Sequence, residues 1–131
     1  MEAVREAAKV LRDESTALIP ELLKDCKQID WIYNPLEYAW APHNEWIQRF
    51  SGNGAKTLLV GMNPGHGMGN TGVPFGCPEQ VRNFLNITDM DVHQPSPTHP
   101  KRVVYGLDCP KPEVSGRRIW SFLSEHYGSP E

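Results

Sequence analysis

The chain has 131 residues, among them 11 glycines and 12 prolines. That is well above the usual combined level of about 12%, so many fixed loops are expected around one compact domain. Apolar residues make up 39% and charged residues 22%, without blocks of like charge or repeated units, and the net charge is -3; these values exclude a disordered chain, a coiled coil, a solenoid and a protein that coats nucleic acid by bulk electrostatics.

From Glu2 to Lys24, Ala3, Ala7, Val10, Leu11, Leu18, Leu22 and Leu23 recur at helical spacing, which predicts one or two amphipathic helices broken near Pro20. Asn34-Pro35 marks a turn, because the residue before a proline is pushed out of the helical region. Leu36 to Phe50 sets Trp40, Trp46, Ile47 and Phe50 at mixed helical spacing, interrupted by Pro42. Lys56 to Met62 is a continuous apolar run, the pattern of a strand buried on both faces in a parallel sheet. Beyond it, residues 52–76 hold eight of the eleven glycines. Pro78 to Asn86 reads as a short helix with proline in its first turn and Val81, Phe84 and Leu85 on one face. Residues 91–112, with five prolines, read as an extended excursion containing a short strand, Val103 to Tyr105. Ser115 to Tyr127 gathers Ile119, Trp120, Phe122, Leu123 and Tyr127 on the apolar face of a last helix.

No run approaches the roughly 18 apolar residues that span a membrane, and the N-terminal stretch is too charged for a secretory signal, so an intracellular protein without a membrane role is expected. Cys26, Cys77 and Cys109 are odd in number and far apart, and the five histidines form no HxxxH or HxH pair. Neither a disulfide framework, an iron-sulfur cluster nor any other metal site is expected. Residues 1–50 carry six basic and nine acidic groups, whereas Lys101 to Arg118 holds five basic against two acidic. A polyanion contact belongs in that second half, where ordinary surface charge is the competing reading.

The glycine-rich loop after the expected strand suggests backbone brought close to a ligand. A phosphate-cradling role fits it poorly: Gly65-His-Gly-Met-Gly69 lacks the Lys-Ser/Thr of a P-loop, Asn70 stands where a dinucleotide fingerprint has its third glycine, and the sequence shows no helix starting promptly after it. A second reading is a pocket between Gly61-Met-Asn-Pro-Gly65 and Pro74-Phe-Gly76, in which Phe75 offers a flat face and Asn63 a donor and an acceptor to a nucleobase. In a third, Phe75 plugs the loop into the core and Asn63 caps a turn.

The strings Ile32-Tyr-Asn-Pro-Leu-Glu-Tyr-Ala-Trp40, Gly61-Met-Asn-Pro-Gly65, Thr71-Gly-Val-Pro-Phe-Gly76, His99-Pro-Lys-Arg102 and Val114-Ser-Gly116 closely resemble, in order and spacing, the single-strand-selective monofunctional uracil-DNA glycosylases of the uracil-DNA glycosylase superfamily. The resemblance runs from about Ile32 to Glu131, and residues 1–28 form an N-terminal helical segment outside it. It implies an α/β class, with a three-layer α/β/α fold around a central, mostly parallel sheet in residues 29–131. It also implies an enzyme without a cofactor, acting as a monomer in the nucleus and removing uracil and oxidised pyrimidines such as 5-hydroxymethyluracil from DNA in base excision repair. By the same resemblance Asn63 positions the water, Met62 and Gly65 line the base and water pocket, and Phe75 stacks on the extruded base. Residue chemistry agrees with such roles. An amide is not basic near neutral pH, so Asn63 suits orientation of water in a path where the glycosidic bond breaks before water adds. Lys101 and Arg102, and also Arg117 and Arg118, are candidate phosphate contacts. His66 departs from the family's stretch and reads as a solvated loop residue.

The resemblance further implies a second motif, His-Pro-Ser-Pro, whose histidine donates to charge developing on the base. His93-Gln-Pro-Ser-Pro97 differs by the inserted Gln94 and is read as unrelated. The expectation is therefore the N-terminal part of a larger domain, weak or inactive alone, since losing such a donor costs roughly 100- to 1,000-fold. A non-catalytic fragment with weak DNA binding is the alternative.

Overall fold

In the computed structural model, residues 1–52 and 54–130 are described; Asn53, in the glycine-rich stretch, and Glu131, at the end of the resembling region, lie outside them. The chain folds as six α-helices and one 3-10 turn among the described residues. Helix α1 spans Glu2–Asp25 and runs through Pro20 without a break, so the expected interruption is absent. Proline removes one backbone hydrogen bond from the helix interior, yet both flanking turns continue. No residue of α1 is buried. It is held along one side by Arg5 Nε donating to Asn44 Oδ1 at 2.8 Å, by the Arg12 guanidinium 4.6 Å from the Trp40 ring, and by Asn34 Nδ2 donating to Arg12 O and Thr16 Oγ1 at 2.9 and 3.0 Å.

Asn34 also starts the next element, α2 (Pro35–Tyr38), by accepting the Leu36 N–H at 3.1 Å, with Pro35 in the first helical position. Helix α3 (Trp40–Phe50) follows after fully buried Ala39. The break in this region thus falls before Pro42, which sits in the first turn of α3 where its missing N–H has no intrahelical acceptor to lose. After α3 come α4 (His66–Thr71), α5 (Pro78–Asn83), the 3-10 turn Gly106–Asp108 and α6 (Val114–Tyr127). Val73, Val81, Leu85, Ile87, Leu107 and Trp120 form the main core, and Trp46, Phe50, Phe84 and Leu123 close around it. A smaller cluster joins Tyr38, Ala39 and Val104.

The expected central parallel sheet is not present, and neither is any strand among the described residues. The α/β expectation is therefore corrected to a helical fold. A buried strand needs a ladder partner for every backbone N–H and C=O, and Lys56 to Met62 has none among the described residues. Instead Leu58, Val60 and Met62 face solvent at 84%, 80% and 97% exposure. Val103 to Tyr105 is not a strand either. The Gln94 carboxamide occupies Val104, accepting its N–H at 3.0 Å and donating to its carbonyl at 2.6 Å, and Asn70 Oδ1 accepts the Tyr105 N–H at 2.8 Å. Side-chain amides do there what a neighbouring strand would do.

Candidate functional site

Helix α4 takes in the Gly65–Gly69 stretch itself, with Gly65 at its N-cap and no side-chain cap, where the sequence reads as loop. Its C-terminus is pinned on two sides. Gly72, with φ of 73°, lies so near Ala39 that a Cβ there would stand 2.8 Å from the Ala39 Cβ, and its carbonyl is 2.7 Å from His43 Nδ1. Tyr38 donates its hydroxyl to Gly69 O at 2.5 Å, and burial pushes that phenol up to about 12, so it stays a donor throughout the neutral range.

Opposite α4, Phe75 holds a left-handed backbone with φ of 51°, a conformation costing a non-glycine residue on the order of 1–3 kcal/mol. Its carbonyl offsets this by accepting two hydrogen bonds at 2.8 Å, from the Trp120 indole and from the Cys77 N–H. The half-buried ring packs on the main core and turns an edge toward the loop, where a Cβ on Gly61 would lie 3.3 Å from Phe75 Cε1 and Cζ. Phe75 thus plugs the core and also lines an open cleft of about 530 Å³, together with Gly61, Met62, Asn63, Pro64, Gly65, Met68 and Glu113.

Asn63 is exposed and its amide donates only to Pro64 O, at 3.2 Å. No N–H among the described residues donates to its Oδ1, so it caps no turn there, and that oxygen is available to a ligand. Met62 borders the cleft and is almost wholly exposed. A second groove, of about 640 Å³, shares Pro64 and Gly65 with the first and brings Lys101, Arg102 and Lys111 together with Tyr33 and Tyr105. The Lys101-Arg102 turn is fixed by its backbone: Lys101 N–H donates to His99 Nδ1 at 3.0 Å, and Arg102 O accepts the Tyr33 hydroxyl at 3.0 Å. Arg117 does not join these cations, for it pairs with Glu79 at 3.2 Å. His66, expected to be solvated, is exposed but has a partner, with Nε2 3.2 Å from Pro112 O.

Glu113, Lys111 and Tyr105 border these two grooves and were not singled out from the sequence. Only Glu113 left a signal: an acidic residue immediately before a periodic apolar run is a helix-start pattern. No cluster of three His, Cys, Asp or Glu residues capable of holding a metal occurs among the described residues, and all three cysteines are free.

Comparison with known proteins places this geometry in context. The chain is 42% identical over 130 residues, or 97% of its length, to the single-strand selective monofunctional uracil DNA glycosylase of Bos taurus. It has the same identity over the same share to proteins of that name from Rattus norvegicus and Mus musculus. It spans 46–47% of those relatives, about half their length. No protein-family model matches the chain.

Proposed function

We infer that this chain, related by sequence to the single-strand selective monofunctional uracil-DNA glycosylases over nearly its whole length, takes part in removing uracil from DNA by hydrolysis of the N-glycosidic bond. The observation that carries the reading is the single cleft shared by Asn63, Gly65 and Phe75, which combines an aromatic surface, a carboxamide and exposed loop backbone. A base must leave the stack to react, at a cost of a few kcal/mol that stacking and edge hydrogen bonds recover. Phe75 supplies the apolar surface. Asn63 orients water toward the sugar after the glycosidic bond has begun to break, and Met62 and Gly65 contribute backbone to the base and water pocket. Lys101 and Arg102, in the adjoining groove, contact the phosphates of the flanking strand.

Oxidised pyrimidines such as 5-hydroxymethyluracil belong to the same substrate class, and an open cleft leaves room for a substituent on the ring. The protein acts as a monomer, in the nucleus where this DNA lies. No helix among the described residues is long and apolar enough to cross a membrane. A second reading, weak DNA binding with little or no turnover, is favoured by the open Lys56 to Met62 segment, because Asn63 follows a stretch that no ladder immobilises.

Incubation with a single-stranded oligonucleotide containing one uracil, followed by alkaline cleavage of abasic sites, tests both readings. Asn63→Ala and Phe75→Ala are each expected to lower turnover, the first by roughly 100-fold, the scale for loss of one oriented polar group. Asn63→Ala leaves the melting temperature unchanged because the side chain is exposed. Binding without any Asn63-dependent strand scission selects the second reading.

A further inference from the structure

Glu113 stands immediately before α6, half-buried, between the two loops that form the cleft. Its Oε2 accepts the Gly116 N–H at 2.5 Å and its Oε1 the Ser115 N–H at 3.3 Å. The same side chain supports the start of α4. A Cβ on Gly65 would lie 3.6 Å from Glu113 Oε1, and a Cβ on Gly67 would lie 2.8 Å from both Cβ and Cγ of Glu113 and 2.6 Å from Gly76 O of the Phe75 loop. The backbone at the start of α4 therefore rests on the Glu113 stem beside the Phe75 loop. On the other side, the backbone of Gly116 approaches the Phe75 loop so closely that a Cβ there would stand 2.8 Å from Cys77 N and collide with Phe75 O. One turn further along α6, Trp120 binds Phe75 O.

We propose that Glu113 is a positioning residue for the cleft: its side chain holds the start of α4, next after Asn63, against the loop bearing Phe75. It is the only acidic residue among the described residues that line the cleft. Both its oxygens already accept backbone N–H groups, so it is placed to hold geometry and not to take a proton from water. The proposal rests on the reading of the cleft as a base site.

Two variants of the full chain separate positioning from helix capping. Asp is a strong N-cap, so Glu113→Asp retains a cap on α6 and the Cβ and Cγ beside Gly67 but shortens the side chain, withdrawing its carboxylate from Gly65. Glu113→Gln keeps the full stem and one accepting oxygen for the Gly116 N–H, and removes the charge and the longer bond from the Ser115 N–H. Release of uracil from a single-stranded oligonucleotide is measured with kcat and KM resolved, alongside amide NMR signals of Gly65 and Gly67 and the indole signal of Trp120. Positioning errors of about 1 Å cost on the order of 100-fold, so Glu113→Asp is expected to lose at least about tenfold in kcat with KM little changed and the Gly65 signal displaced. Glu113→Gln is expected to stay near wild type. Equal kcat in wild type and Glu113→Asp overturns the proposal, as does an equal loss in both variants, which would assign the effect to the charge or the Ser115 bond and not to the reach of the side chain. If the wild-type chain releases no uracil, the glycosylase reading fails by itself. The positioning claim is then decided by the Gly65 signal: displaced in Glu113→Asp and unchanged in Glu113→Gln it upholds the claim, and unmoved in both it overturns it.

Discussion

His43 shows how one buried side chain anchors the start of the site. The Gly72 carbonyl 2.7 Å away can only accept, so Nδ1 carries the proton and donates. Burial holds the imidazole below its ordinary value of 6.5, outweighing the hydrogen bond to Gly72, which acts in the opposite direction. The sign of the pH effect follows. Between the lowered folded value and 6.5 the unfolded chain binds a proton that the folded chain refuses, so stability falls as pH drops through that window and is complete above it. Glu6 and Asp13, whose carboxyls are held below their usual values by hydrogen bonds with Lys9 and Arg12, act only at more acidic pH. Denaturant melts from pH 7.5 to pH 5 are therefore expected to show declining stability in the wild type and a flatter profile in His43→Gln. A steep acid loss that persists in the variant would remove His43 as its source.

At the scale of elements, Asn34 joins two helices that share no buried apolar seam of consequence. One oxygen caps α2 while the amide nitrogen binds Arg12 O and Thr16 Oγ1 on α1. Replacing a cap of this kind costs about 1 kcal/mol. Asn34→Ala is expected to show that loss together with faster hydrogen exchange along α1, since no residue of α1 is buried to hold it otherwise. If α1 exchange is unchanged, Arg5 and Arg12 are sufficient as anchors. Elements of this type were legible in the sequence where their signals are local. The periodicity over Ser115 to Tyr127 matches α6 at Val114–Tyr127 to within one residue, whereas Asn34-Pro35, which reads as a turn, opens α2. The apolar run Lys56 to Met62 was misread because a strand is defined by its neighbours. Its own residues fit the pattern, but nothing among the described residues pairs with it. The cleft divides in the same way. Asn63 and Phe75 were named from strings close to them in sequence, whereas Glu113 meets Gly67 across 46 positions, and no local pattern announces such a contact.

The whole molecule combines a well-filled helical core with an extended apolar segment outside it, and that contrast governs its behaviour in solution. Val73, Val81 and Ile87 are completely buried, while Leu58 and Val60 keep 80% or more of their surface in water. Removing a buried aliphatic side chain costs roughly 2–5 kcal/mol, but a substitution at an exposed site usually changes stability by less than about 0.5 kcal/mol. The paired substitution Leu58→Lys and Val60→Thr is therefore expected to leave the melting temperature unaltered. It should also lower binding of a hydrophobic dye and reduce self-association in sedimentation, because contiguous exposed apolar surface is what drives both. Val81→Ala in the core serves as the contrast and is expected to shift the melt downward. A large destabilisation by the Leu58 and Val60 pair would mean that this segment is covered in solution, as a strand in a sheet would be. Asn63, which follows the segment directly, would then stand on a held element, and the reading in which the chain binds DNA with little turnover would lose its structural basis.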